Sequence, residues 1–260
     1  MGSRAGRISL RVVALGYLAL LLVIPVGTVF YRTFEHGIGA FIDSITTPAA
    51  ISAFWLTVEV AAIAVPLNAV FGILAALALA RGTFPGKSVF DALIDLPFAV
   101  SPVVIGLALV LVFGREGWVK LPFQVIFSVP GIVLATIFVS LPFVCREVTP
   151  VLREVGDEQE QAAATLGASG WQAFRRITLP SIRWGIAYGV VLSVARAIGE
   201  FGAVSVVSGK VAGSTLTLTL LVEQRFSNYD LAGAYAASAL LAAIALATLF
   251  AMTRIRRFEP

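Results

Sequence analysis

The sequence predicts an all-α integral membrane protein with six transmembrane helices. Three observations point to it. Of 260 residues, 58% are hydrophobic and only 13% are charged, an apolar surplus that a water-facing surface cannot absorb, so the bilayer must be the solvent. Six windows nearly free of charged side chains are each close to or above the ~20 residues a helix needs to cross a bilayer. None of them alternates like a strand, and a backbone in lipid must satisfy its own hydrogen bonds, which leaves the helix.

The windows lie at about 12–31, 56–80, 94–114, 126–145, 184–208 and 231–253 of a single domain, 1–260. The first follows Arg4, Arg7 and Arg11 and resembles a secretion signal. Its apolar run exceeds the usual length of about 7–15 residues, however, and it has no small-x-small cleavage pattern, so it reads as retained. The second carries Glu59 near its start and Pro66 within, and the third opens on Asp95, Pro97 and Pro102; each proline invites a kink. Between these two spans, Gly82-Thr83-Phe84-Pro85-Gly86-Lys87-Ser88 imitates a phosphate-binding loop. It has three residues between its glycines where that loop has four, and it joins two spans rather than a strand and a helix. It reads as a tight turn, so the chain supplies no ATP site of its own. The fourth span ends at Cys145, and the fifth carries Arg196 and Glu200.

Orientation follows from the basic residues. Arg4, Arg7, Arg11, Arg81, Lys87, Arg146, Arg153, Arg175, Arg176, Arg183, Arg254, Arg256 and Arg257 flank one side. Only Arg32, Arg115, Lys120, Lys210 and Arg225 flank the other. The positive-inside bias therefore puts both termini and the fourth connection in the cytoplasm. The basic residues follow topology rather than a phosphate backbone, and nothing resembles a nucleic-acid module. One Cys excludes an intrachain disulfide, and one His, His36, excludes a His-rich metal site. No cofactor, metal site or catalytic residue is expected, and the chain does not read as an enzyme.

The fourth connection, 146–183, is the longest. Asp157, Glu158 and Glu160 open a stretch of helix formers, where acidic groups favour a helix start. Gly167 stops that helix. Trp171, Phe174 and Ile177 then recur at helical spacing, and Leu179-Pro180 returns the chain to the membrane. The result is two short helices about a glycine elbow. One reading is a protrusion that fits a partner's groove; the other is an amphipathic segment lying on lipid headgroups.

The run Gln161-Ala162-Ala163, three residues, Gly167, nine residues, Ile177, one residue, Leu179-Pro180 resembles the EAA motif of ATP-binding-cassette (ABC) importer permeases. It departs at the first position, where Gln161, preceded by Glu160, stands for the family's Glu. The segments 95–104 and 195–209 are similar to sulfate and thiosulfate permeases of that family, and Gly199-Glu200-Phe201-Gly202-Ala203 is also similar to molybdate and tungstate permeases. The likeness spans about 55–208. It implies the type I ABC importer permease (MetI-like) architecture, with cytoplasmic coupling helices in a multi-pass bacterial inner-membrane subunit that passes sulfate or thiosulfate inward. Implied partners are a cytoplasmic ABC ATPase dimer that hydrolyses the ATP, a second related permease, an extracytoplasmic sulfate-binding protein and membrane lipid. It assigns ATPase coupling to Glu160, Gln161, Ala162, Ala163, Leu166, Gly167, Ala168, Trp171, Phe174, Ile177, Leu179 and Pro180.

Arg196 and Glu200 are four residues apart and would share a helix face. An intramembrane charge marks a pathway or is paired as a lock between helices, and the sequence leaves both readings open. With an oxyanion as substrate, Arg196 and Glu200, with the hydroxyls of Ser205 and Ser208, form the candidate passage. The alternatives are a molybdate or tungstate permease, or a self-sufficient secondary anion carrier.

Overall fold

The computed structural model describes residues 4–256; Arg257 lies outside them, as do the side chains of Arg4, Arg7 and Arg256. Among the described residues every regular element is a helix. In chain order they are α1 (Arg4–Leu18), a π-helical turn (Ala19–Val23), α2 (Ile24–Phe34), α3 (Gly37–Ile45), α4 (Pro48–Arg81), α5 (Lys87–Ala99), α6 (Pro102–Phe113) and α7 (Val129–Val155). There follow α8 (Glu158–Thr165), α9 (Gly170–Ala173), a second π-helical turn (Phe174–Thr178), α10 (Leu179–Ser181), α11 (Arg183–Ile198), α12 (Gly202–Val207), α13 (Leu218–Ser227) and α14 (Leu231–Arg256).

Four of these helical stretches are long and apolar enough to cross a bilayer: Ser9–Phe34, Pro48–Arg81, Val129–Val155 and Leu231–Arg254. Six spans result if each of two bent pairs is one span: α5 with α6, at 111°, and Gly170–Ser181 with α11, at 67°. The expected third span, 94–114, is therefore not one helix. Val100 and Ser101 are extended and Pro102 opens α6, because a residue before proline is pushed out of the helical region. The expected fifth span, 184–208, breaks at Gly199, Glu200 and Phe201, so α12 is separate. Other helices outrun their charge-free windows. α4 begins at Pro48 and passes Pro66 unbroken, and α7 continues ten residues beyond Cys145, through Arg146 and Arg153. After a turn, Leu218 starts α13, and Leu216, Leu218 and Leu220 are buried.

The centre of the bundle is α4, α7 and α11. Lipid is as apolar as leucine, so close backbone packing and hydrogen bonds must join helices there. Both are present along α7, between Ile137 and Val144. A Cβ on Gly72 of α4 would sit 2.7 Å from Val144 Cβ, and one on Gly189 of α11 would sit 2.6 Å from Val144 Cα. Only glycine lets three backbones converge on that valine. Asn68 Nδ2 donates to the Ile137 carbonyl (3.0 Å) and to Ser140 Oγ (2.8 Å), and Ser193 Oγ donates to the Ser140 carbonyl (3.2 Å). Such bonds contribute on the order of 0.6 kcal/mol each in membrane bundles. Around this centre, α6 packs on α12, α13 on α14, and α2 and α3 on α14. Thr33 Oγ1 donates to the Tyr235 carbonyl at 3.0 Å and pins α2 there.

The turn 82–88 is tight, as expected, and Lys87 Nζ closes it on the Gly82 carbonyl at 2.9 Å.

Candidate functional site

The elbow forms as the sequence predicts. α8 starts with Glu158 and Glu160 in its first turn. It ends when Gly167 takes a left-handed conformation, φ +84. The Ala168 N–H then reaches the Ala163 carbonyl (3.0 Å), and the Gly167 N–H reaches the Ala164 carbonyl (3.0 Å). These two bonds satisfy carbonyls that the helix end would orphan. α9 restarts at once behind a cap that the sequence reading missed. Ser169 Oγ accepts from the Gln172 N–H (3.4 Å) while Gln172 Oε1 accepts from the Ser169 N–H (2.8 Å). The signal was legible as Ser-x-x-Gln ahead of an apolar face.

The elbow's tip is apolar and open. Leu166 is 88% exposed and Trp171 is 68% exposed. Trp171 stacks on half-buried Phe174, with ring centroids 5.6 Å apart. Gln161, Ala162, Gly167 and Pro180 are exposed, whereas Ala163, Ala168, Ile177 and Leu179 are half-buried beneath the tip. Glu160 is engaged by the bundle: Arg81 Nη2 and Thr178 Oγ1 both donate to Glu160 Oε1, at 3.2 and 2.7 Å. Its carboxylate is turned into the protein.

The second assembly lies where the two broken spans meet. A Cβ on Gly202 would stand 2.8 Å from Pro102 Cβ, so the break before α12 rests on the break before α6. Arg196 and Glu200 do meet, Nη1 to Oε2 at 2.5 Å, but not along one helix. Arg196 lies in the last turn of α11, and Glu200 sits in the break. The Ala203 N–H donates to Glu200 Oε1 (2.8 Å), which caps α12, and Thr219 Oγ1 donates to the Glu200 carbonyl (2.8 Å). The pair is lopsided: the Glu200 side chain is 1% exposed and that of Arg196 is 31% exposed. A buried carboxylate thus holds a cation that remains partly open.

Of the two hydroxyls expected beside it, Ser205 is half-buried, and its Oγ donates to the Gly202 carbonyl at 2.8 Å. Ser208 is fully buried, and its Oγ accepts from the Lys210 N–H (2.9 Å), capping a turn.

Sequence reasoning also missed a cluster near the elbow's end of the bundle. Arg146 of α7 bridges Asp91 and Asp95 of α5, both at 2.7 Å, and fixes the first arm of the broken third span. The spacing of four between the aspartates was the available signal.

Known proteins match this arrangement. A family profile described as "Binding-protein-dependent transport system inner membrane component" matches residues 68–259. The chain is 54% identical over 241 residues to the sulfate transport system permease protein CysW of Synechocystis sp., covering 91% of this chain and 87% of that protein. It is 49% identical over 237 residues to the protein of the same name from Escherichia coli (strain K12), covering 89% and 81%. Among solved structures, a bacterial ABC transporter that imports the acidic polysaccharide alginate superposes with a TM-score of 0.80 at 18% identity, covering 97% of this chain and 96% of that one. That likeness concerns the fold alone.

Proposed function

The chain belongs to the family of binding-protein-dependent transport system inner membrane components, and on that premise we propose that it is a permease subunit of an ATP-driven sulfate importer. Two observations support the substrate and the coupling separately. Identity near one half to sulfate permeases over about nine tenths of the chain supports a sulfate-class oxyanion, thiosulfate included. The observation that carries the coupling is the elbow, an apolar tip of Leu166 and Trp171 on a rigid, doubly capped turn. Exposed Leu166 and Trp171 carried on a turn capped on both sides suit insertion into a protein groove. Its occupant is a cytoplasmic ABC ATPase, one of two copies beneath this permease and a second, related one. An extracytoplasmic binding protein delivers the anion, and both termini lie in the cytoplasm, in line with the basic-residue asymmetry.

In this reading Arg196 faces the anion. The breaks leave polar backbone at bilayer depth, which is tolerated only where it is covered by protein or lines a cavity. The Glu200 carboxylate offsets most of the Arg196 charge, so an anion is attracted without being trapped. ATP-driven closure of the ATPase pair moves the elbow, and the bundle changes which side the passage opens to.

The test is reconstitution. Proteoliposomes holding this chain, its partner permease and the ATPase pair should take up sulfate only with the loaded binding protein outside and ATP inside. Uptake without the ATPase would make the chain a self-sufficient carrier. Competition by molybdate at equal potency would replace the substrate assignment.

A further inference from the structure

The resemblance to importer permeases assigns Glu160 to ATPase coupling, and its geometry suggests how it would act. One oxygen, Oε1, receives Arg81 Nη2 at 3.2 Å and Thr178 Oγ1 at 2.7 Å. The same Arg81 nitrogen also donates to the Gly156 carbonyl. Arg81 is the last residue of α4, Gly156 follows α7, Glu160 lies in the first turn of α8, and Thr178 ends the π-helical turn that leads through α10 to α11. Three chain segments are therefore tied at one carboxylate, and the end of α7 joins them through Arg81. Thr178 is buried, and Leu79, Leu152 and Ile182 pack fully buried beside the knot.

We propose that this Arg81–Glu160–Thr178 clamp is the joint that passes displacement of the elbow into the bundle. Without it, α8 would have no tie to the foot of α4, and the elbow could move with less effect on that span. With it, a push on the elbow acts on the foot of α4, an unbroken helix of 34 residues. That helix reaches the ion-paired break: Ala61 and Val65 of α4 pack against Ala197, the neighbour of Arg196. Glu160 is thus a positioning residue between the docking tip and the passage, and it touches neither partner nor anion. The inference rests on the permease reading above.

The reconstituted complex tests it. Three quantities are measured for each variant: ATPase retained on co-purification, ATP hydrolysed, and sulfate taken up per ATP. In Glu160→Ala, ATPase retention and hydrolysis should persist while uptake per ATP falls roughly two- to thirty-fold, the range over which coupling residues act. Arg81→Ala should do the same, and the double variant should be no worse than either single, because both remove one joint. The charge swap Arg81→Glu with Glu160→Arg restores the ion pair but not the bonds to Gly156 and Thr178, so it should recover only part of the ratio. Should Glu160→Ala fail to fold, Thr178→Val removes a single hydroxyl and should lower the ratio by the smaller part of that range. Wild-type uptake per ATP in Glu160→Ala or Thr178→Val overturns the joint. Loss of the ATPase from a folded Glu160→Ala complex overturns it too, by making Glu160 a docking residue. Failure of the permease reading looks different: the unaltered chain would then retain no ATPase, or would transport without it.

Discussion

Replacing Gly167 separates a structured coupling elbow from a passive surface anchor. Its φ is +84, and a Cβ built there meets nothing within 4 Å. A substitution therefore causes no clash, and its whole cost is backbone strain. An ordinary L-residue held in this left-handed region costs roughly 1–2 kcal/mol, asparagine less because its side chain can bond locally, and a β-branched residue more. If the elbow must be formed before it docks, that strain lowers the docking-competent fraction and raises the apparent dissociation constant in proportion. Alanine should then weaken ATPase binding by up to about 5- to 30-fold, since ~1.4 kcal/mol is tenfold. The expected order of affinity is Gly, Asn, Ala, Val. Gly170 also has open space around a Cβ but no positive φ, so Gly170→Ala should bind as the unaltered protein does. The measurement is ATPase affinity for purified permease in detergent, with sulfate uptake alongside. Valine binding as tightly as glycine, or asparagine binding as poorly as valine, would refute the reasoning and favour the headgroup anchor.

Gly189→Ala should lower the thermal midpoint of the purified protein by several degrees. Its Cβ would meet the Val144 backbone at 2.6 Å, and overpacking of this kind costs about 1–3 kcal/mol; Gly27→Ala, with open space, is the neutral control, and an unchanged midpoint in Gly189→Ala would contradict the packing. For topology, a lone Cys at Gly170 in a Cys145→Ser background should be shielded from an impermeant external thiol reagent, and one at Ser227 should be labelled. The reverse pattern would invert the orientation. For Arg196, the Arg196→Gln, Glu200→Gln double variant should assemble, because no unpaired buried carboxylate remains, and should lose most sulfate uptake. Normal yield with normal uptake would leave the pair as a lock between helices.

What the sequence made legible is what lies close along the chain. The elbow is written in about twenty residues: acidic groups at a helix start, a glycine that ends it, then an apolar spacing. Charge-free windows located the lipid-crossing parts of helices, but a window is not a helix. α7 runs on through Arg146 because α5 brings Asp91 and Asp95 to that guanidinium, and a paired charge does not end a helix. The opposite error occurred at Arg196 and Glu200. Their spacing of four predicted contact, and contact is present, yet the helix between them stops at Gly199. Prolines in the third span were read as kinks, although Pro102 rests against Gly202 more than ninety residues away. Glu160 is the sharpest case. Its partners stand 79 residues before it and 18 after it, so local pattern offered only its neighbour Gln161 and the family motif. A carboxylate turns inward when a guanidinium and a hydroxyl satisfy it there, and such pairings are tertiary facts. The same holds for Gly72 and Gly189: in sequence they are ordinary breaks in helix propensity, and only the three-way approach at Val144 explains why a side chain at either would push the bundle apart.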